Sequence, residues 1–199
     1  MAAGPQTAYG RVVPLATVAT FPVKLTWLAS VACSGKRTWG VTIDDILSEV
    51  SRACARERAR GKRVVFTHGA FDIVHSGHIH FLERAASFGD VLVVGLHLDQ
   101  HIRAYKGDSR PVLSLTERLT VVSALRVVDH VLPCPGADAV SVIRMLTPDV
   151  YVKDDRVDVH GSVEARAMEE QEGEVVIVPY TWGVSTSLLV KRLLRIVSE

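Results

Sequence analysis

Short runs of apolar, mainly β-branched residues alternate with single helical segments along most of this chain, and this alternation limits its fold more than any other feature. Runs such as VLVVGL and EVVIVP are almost continuously apolar, which is typical of strands buried on both faces of a parallel sheet. Crossovers between parallel strands are right-handed. The pattern therefore predicts an α/β fold with an open, doubly wound parallel sheet.

The boundaries of the elements follow from caps and breakers. Strands are predicted at residues 63–67, 90–97, 127–132, 150–153 and 174–179, which makes a five-stranded, Rossmann-like sheet with helices on both faces. A first helix is capped by Thr42 and stopped by Gly61, and others are predicted at 77–88, 114–125, 137–146, 162–172 and 186–197. Ligands of such sheets bind beyond the carboxyl ends of the strands, where the strand order reverses. The segments 68–77, 98–110, 153–161 and 180–187 are therefore the places to expect a site.

The distribution of charge divides the chain near residue 40. Residues 1–40 contain four basic residues and no acidic one, although the whole chain is balanced at 23 basic and 22 acidic residues. The apolar stretch 12–33 is interrupted by Pro14, Pro22 and Lys24, and its longest uninterrupted run is too short to span a bilayer. We therefore predict a poorly ordered or loosely packed N-terminal extension at 1–40, a single domain at 41–199, and no membrane partner.

Composition excludes several other classes of protein. A net charge of +1 is far from the basic excess of nucleic-acid binders, so nucleic acid is not an expected partner. Cys33, Cys54 and Cys134 are odd in number and widely spaced, which favours reduced thiols and a cytoplasmic location over a disulfide framework.

The segment after the first predicted strand, THGAFDIVHSGH, concentrates histidine and glycine. Gly69 permits close approach of the backbone to a ligand, and Gly77 leaves the start of the next helix open to phosphate oxygens. His75 and His78 are three residues apart, so both rings can lie on one side of that helix and donate hydrogen bonds to a phosphate. A metal site formed by these two rings and His80 is the alternative, but no companion carboxylate or H-E-x-x-H pattern supports it.

The run GAFDIVHSGHIHFLERA resembles the signature of the cytidylyltransferase-like nucleotidyltransferases, which carry H-x-G-H behind a first strand. The resemblance extends over nearly all of residues 42–197 and includes KGDSRP at 106–111, PDVYVK at 148–153 and GVSTS at 183–187. Within this superfamily the chain is most similar to the adenylyltransferase domain of bacterial ADP-heptose synthase. Glycerol-3-phosphate cytidylyltransferase is next in similarity.

This resemblance implies a reaction and a set of site residues. A phosphate oxygen of the acceptor attacks the α-phosphorus of a nucleoside triphosphate, pyrophosphate leaves, and Mg²⁺ is held mainly by the triphosphate rather than by a metal site of the protein. The implied catalytic residues are His75, His78 and Lys106, the last on the loop after the second strand, from which it would reach over the triphosphate as a mobile point charge. The implied nucleotide-binding residues are Thr67, His68, Gly69, Ala70, Phe71, Asp72, Gly77, Arg110, Lys153, Asp154, Ser185, Thr186 and Ser187.

Three functions remain open on the sequence. The first is transfer of a nucleotidyl group, with ATP preferred, to a sugar 1-phosphate such as heptose 1-phosphate, forming a nucleotide-sugar. The second is a cytidylyltransferase acting on a polyol phosphate such as glycerol 3-phosphate, and the third is a non-catalytic nucleotide-binding module. The partners expected from the resemblance are the triphosphate, a sugar phosphate and a second copy of the chain in a homodimer.

Overall fold

A computed structural model describes residues 42–136, 138–156, 161–180 and 183–198. The prediction for residues 1–40 lies outside them. The strands are β1 (Val64–Gly69), β2 (Val91–His97), β3 (His130–Cys134), β4 (Val150–Asp154) and β5 (Glu174–Val178). The helices are α1 (Ile43–Arg58), α2 (Ser76–Ala86), α3 (Asp99–Lys106), α4 (Leu115–Ser123), α5 (Val140–Leu146), α6 (Val163–Glu169) and α7 (Thr186–Val197).

All five strands form one parallel sheet in the order β3-β2-β1-β4-β5. The chain moves outward from β1 through β2 to β3, then returns to the other side of β1 with β4 and β5. The strand order therefore reverses between β1 and β4, which pair through Val65 with Val150 and Phe66 with Tyr151. This confirms the predicted doubly wound, parallel α/β fold.

Alternate residues of each strand enter two separate cores. Val64 and Phe66 pack in a core with α1, α5 and α6, whereas Val65 packs in a second core with α2 and α4. Burial on both faces explains why the strands read as continuous apolar runs. The alternation also decides on which face of the sheet each residue at a strand end lies.

The third strand begins and ends later than the sequence predicted. It was expected at 127–132 with Pro133 as a breaker, but Pro133 lies within β3 and pairs with Leu96. The reason is that β3 is an edge strand, where a residue without an N–H group costs no ladder hydrogen bond. Asp129 ends the preceding turn by accepting a hydrogen bond from the Leu92 N–H at 2.9 Å.

Helix α3 occupies part of the segment predicted as a loop after the second strand. It has Asp99 in its first turn and Arg103 and Lys106 in its last, an arrangement that suits the helix dipole. Ile102 is its only buried residue, so the apolar periodicity that identifies a helix in a sequence is missing. Among the described residues, no helix is both long and apolar enough to cross a membrane.

Candidate active site

An open cavity of about 460 Å³ lies at the carboxyl ends of β1, β2 and β4, beside the reversal of the strand order. His68 and Gly69 line it from the end of β1, His97 from the end of β2, and Lys153 and Asp154 from the end of β4. This is the position at which an open α/β sheet binds its ligands.

His75 and His78 form a stacked pair at the start of α2. Their ring centroids are 3.9 Å apart and their planes differ by 22°. His75 is the N-cap residue, and its carbonyl accepts a hydrogen bond from the His78 N–H at 2.9 Å. The Nδ1 atoms of both rings are buried without a hydrogen-bond partner among the described residues. Two imidazoles thus lie at a helix start that no side chain caps, and such a start suits a bound phosphate.

Gly77 makes this stacking possible. A Cβ atom at this position would lie 3.1 Å from the His75 ring and 3.1 Å from the Tyr180 hydroxyl oxygen. Both contacts are tighter than ordinary van der Waals contact, so any side chain here displaces the histidine pair or the tyrosine.

The histidine pair is held in its neutral form. Burial, reinforced by the neighbouring His75, lowers the pKa of His78 to about 3. Burial and then the charge of Arg156 lower the pKa of His75. At neutral pH each ring is therefore an uncharged hydrogen-bonding group, and positive charge at this site comes from other residues.

Phe71 and Asp72 shape the loop between β1 and α2. Phe71 has a φ of +45°, an uncommon conformation for a bulky side chain, and its ring lies 5.1 Å from that of His78. The buried Asp72 accepts hydrogen bonds from the N–H groups of Val112 (2.8 Å) and Leu113 (2.9 Å) and pairs with Arg110 at 3.1 Å. Asp72 thus fixes a distant loop as well as its own turn, and Arg110 anchors that loop outside the cavity lining.

Arg118 supports several of these loops together, and the sequence had suggested no role for it. Its fully buried side chain donates to the carbonyl oxygens of Ala70 (2.7 Å), His97 (2.8 Å) and Leu113 (3.1 Å). It also pairs with Asp99 at 2.6 Å. It therefore ties the loop after β1, the end of β2 and the start of α3 to α4, acting as a positioning residue.

Lys106 and Arg156 are two of the cations that line the cavity. The sequence had placed Lys106 on a loop, but it is the last residue of α3, and Gly107 is the C-cap of that helix. The charge of Lys106 contributes to lowering the pKa of both His78 and His97. Arg156 is held by two hydrogen bonds to Asp154, both of 2.9 Å, and stacks 3.5 Å above the ring of Tyr180.

The start of α7 lies against the loop that precedes α2. Thr186 lines the cavity and its hydroxyl donates to the Ile73 carbonyl at 3.4 Å. Ser185 caps the helix by accepting from the Leu188 N–H at 3.2 Å, and Ser187 is exposed. We refer to His75, His78, Lys106, Arg156, Tyr180 and Thr186 as the histidine side of the cavity.

The opposite face of the sheet contributes a second set of polar groups. The His68 Nδ1 atom lies 3.1 Å from the Tyr151 hydroxyl, and its Nε2 atom lies 3.5 Å from the Lys153 amine and 4.0 Å from a Glu164 carboxylate oxygen. The Lys153 amine donates to the His68 carbonyl at 3.0 Å. Burial, aided by the charges of Lys153 and His97, lowers the pKa of His68 well below its usual range. We call His68, His97, Tyr151, Lys153 and Glu164 the glutamate side.

Most of the residues named from the sequence meet at this cavity. It is lined by His68, Gly69, Ala70, Phe71, Asp72, Gly77, His78, Lys106, Lys153, Asp154 and Thr186. The other five named residues are not in the lining. His75 stacks on His78, and Thr67 is buried within β1. Arg110 pairs with Asp72, Ser185 caps α7, and Ser187 is exposed.

Sequence reasoning missed other residues of the lining, namely Phe81, His97, Tyr105, Tyr151, Arg156, Ser162, Glu164 and Tyr180. His97 ends β2 and Arg156 follows β4, so the strand-end rule contained a signal for both residues. Glu164 lies on a helix whose sequence gives no such signal. Among the described residues, no three His, Cys, Asp or Glu side chains are grouped closely enough to hold a metal ion.

The fold and the site define a class of protein: a doubly wound α/β domain with a stacked histidine pair at the start of the helix that follows its first strand. A family model described as Cytidylyltransferase-like matches residues 66–192. The match covers more than half of the chain, so the chain belongs to the cytidylyltransferase-like family. This confirms the resemblance seen in the motifs.

Two curated relatives share the name Bifunctional protein HldE. The protein of Citrifermentans bemidjiense is 38% identical over 148 residues, 74% of this chain and 30% of the relative. That of Geobacter sulfurreducens is 39% identical over 145 residues, 73% of this chain and 30% of the relative. The chain therefore spans about 30% of the length of these relatives.

A solved structure is similar over a larger share of its own length. The crystal structure of the lipopolysaccharide core biosynthesis protein from Thermoplasma volcanium GSS1 matches with a TM-score of 0.50 and 28% sequence identity. The similarity covers 61% of this chain and 98% of that chain.

Proposed function

We propose that the protein is a nucleotidyltransferase that transfers the adenylyl group of ATP to a heptose 1-phosphate, forming a nucleotide-sugar and releasing pyrophosphate. The observation that carries this proposal is the neutral histidine pair at the start of α2, facing a cavity at the strand-order reversal in a chain of this family. The motif resemblance to the adenylyltransferase domain of ADP-heptose synthase and the relatives named HldE support the choice of substrates. The lipopolysaccharide core biosynthesis protein of similar structure supports a carbohydrate acceptor.

The geometry suits an in-line displacement at the α-phosphorus. A phosphate oxygen of the acceptor forms the new P–O bond as the bond to the pyrophosphate oxygen breaks. The ring N–H groups of His75 and His78 donate to the phosphate oxygens, while Lys106 and Arg156 offset the charge that develops. The N–H groups at the starts of α2 and α7 bind the remaining phosphate oxygens.

Magnesium enters this scheme as part of the triphosphate complex. Of the carboxylates that line the cavity, Asp72 and Asp154 are paired with Arg110 and Arg156, respectively, and Glu164 lies on the glutamate side. Oxygen ligands for Mg²⁺ are therefore supplied by the triphosphate and water, as is usual for this ion. The ion offsets the negative charge of the triphosphate when it is bound.

The assembly and the location of the protein belong to the same proposal. We infer a homodimer from the family resemblance. We infer a cytoplasmic location because Cys54 and Cys134 are buried and free.

One assay tests the reaction. The protein is incubated with each of the four ribonucleoside triphosphates and a panel containing heptose 1-phosphate, hexose 1-phosphates and glycerol 3-phosphate, and pyrophosphate release is followed. We expect the fastest release with ATP and heptose 1-phosphate. Faster release with CTP and glycerol 3-phosphate, or release with no pair, contradicts the proposal.

A further inference from the structure

The phosphate chemistry proposed above uses no residue of the glutamate side of the cavity. We propose that Glu164 and Lys153 bind hydroxyl groups of the acceptor and thereby determine which polyhydroxylated phosphate the protein accepts. This inference rests on the proposed function, because it concerns the second substrate of the same reaction.

A hydrogen-bond acceptor and a hydrogen-bond donor lie close together on one wall of the cavity. The Glu164 carboxylate and the Lys153 amine lie 4.0 and 3.5 Å from the same atom, His68 Nε2. A carboxylate only accepts hydrogen bonds and an ammonium only donates them. A sugar hydroxyl does both, so neighbouring hydroxyls of one sugar can satisfy both groups.

Both side chains are held in place before any ligand binds. The Lys153 amine donates to the His68 carbonyl at 3.0 Å, and a Glu164 carboxylate oxygen accepts from the Ala139 N–H at 3.4 Å. His68 is fixed in turn by the Tyr151 hydroxyl and by stacking on Phe66 and Tyr151. Groups that are already oriented lose little freedom on binding, which favours selective recognition.

Charge argues against a phosphate on this side. The Glu164 carboxylate repels a phosphate placed beside Lys153, whereas the histidine side offers Lys106, Arg156 and two helix starts. The two sides also lie on opposite faces of the sheet, since Tyr151 belongs to the core with α6 and Val152 to the core with α2. A triphosphate on the histidine side therefore leaves the glutamate side to the other substrate.

Shape argues against the nucleotide base on this side. A planar base needs flat apolar surface, and the cavity has it at Phe81 and Tyr180. Phe81 belongs to α2 and packs against its core, so this surface adjoins the histidine pair. On the glutamate side the rings of His68 and Tyr151 are stacked on each other and buried, so Lys153 and Glu164 offer charged groups instead.

The test is a binding measurement that does not depend on turnover. The protein is saturated with the α,β-methylene analogue of ATP, which cannot transfer its adenylyl group, and heptose 1-phosphate is titrated by calorimetry. We expect Glu164→Gln to weaken heptose 1-phosphate binding about tenfold or more, because it removes a charged hydrogen-bond acceptor. Binding of the ATP analogue alone should change less than about twofold.

The matched control is Glu169→Gln, which makes the same change at an exposed position of the same helix. We expect it to leave both affinities unchanged. Lys153→Met provides a second variant with the same expected loss, so the inference stays testable if Glu164→Gln does not fold.

The outcomes separate this inference from the proposed function. If Glu164→Gln weakens binding of the ATP analogue and leaves sugar binding unchanged, the nucleotide lies on this side and the inference is overturned. The inference is also overturned if neither affinity changes, or if the wild type does not bind the sugar phosphate. If both ligands bind as expected but pyrophosphate is not released, the proposed reaction fails and the acceptor site stands.

Discussion

The two sides of the cavity differ in the charge and the hydrogen-bonding groups that they offer to a ligand. The histidine side combines neutral imidazoles, kept neutral by burial, with separate cations and the starts of two helices. The glutamate side places one cation and one anion within 4.0 Å of a single buried imidazole. The first arrangement suits a highly charged ligand whose charge changes during a reaction, and the second suits an uncharged group with both donors and acceptors. On the proposed function, the phosphate chemistry and the selection of the acceptor therefore fall on opposite faces of one sheet.

Arg118 ties the loop after β1 to the end of β2, and its replacement has the largest expected effect on stability. In Arg118→Met the carbonyls of Ala70 and His97 lose a charged donor within a fully buried environment. We expect the free energy of unfolding to fall by roughly 3 kcal/mol, measured by urea denaturation. Arg103→Met, at an exposed position of α3, is the control and should change it by less than about 0.5 kcal/mol. Equal losses in both variants would mean that the buried hydrogen bonds of Arg118 add nothing to the free energy of unfolding.

His78→Ala tests the histidine side alone. We expect the turnover number to fall at least about 100-fold, equivalent to about 2.7 kcal/mol, because a donor to the transferring phosphate is removed. The affinity for heptose 1-phosphate, measured by calorimetry with the ATP analogue bound, should change little if the two sides act separately.

His80→Ala is the control for this variant. It lies two residues further along α2, with 41% of its side chain exposed. Its turnover should stay close to that of the wild type. Near-wild-type turnover in His78→Ala, or an equal loss in His80→Ala, would show that the histidine pair does not touch the reacting phosphates.

How far each side could be predicted from the sequence depends on how local its residues are. His75, Gly77 and His78 fall within one helical turn, so their spacing alone indicated a phosphate site. His68 and Lys153 are 85 residues apart and meet only because β1 pairs with β4. The rule that ligands bind where the strand order reverses predicted the location, but not that the Glu164 carboxylate would lie beside them.

The errors in the predicted elements have similar causes. The sheet and its class were predictable because buried parallel strands have an unmistakable composition. The bounds of β3 were wrong because Pro133 reads as a breaker until its place on a sheet edge is known. Helix α3 was missed because it buries only Ile102, and its stability comes from end charges and from Asp99 pairing with Arg118.

Acid should lower the free energy of unfolding through histidines on both sides of the cavity. The effect of each histidine is the smallest that we expect for a single residue. Burial lowers the pKa of His78 to about 3 and that of His97 to about 4, whereas unfolded histidine titrates near 6.5. The unfolded state therefore binds more protons below about pH 6.5, and the free energy of unfolding falls as the pH drops from there towards the folded pKa values. Each such histidine should cost about 1 kcal/mol by about pH 5.5. Urea denaturation at about pH 7.5 and about pH 5.5 measures this loss in the free energy of unfolding. His78→Gln and His97→Gln should each make the loss smaller by about 1 kcal/mol. A reduction in only one variant would show that a single side of the cavity responds to acid.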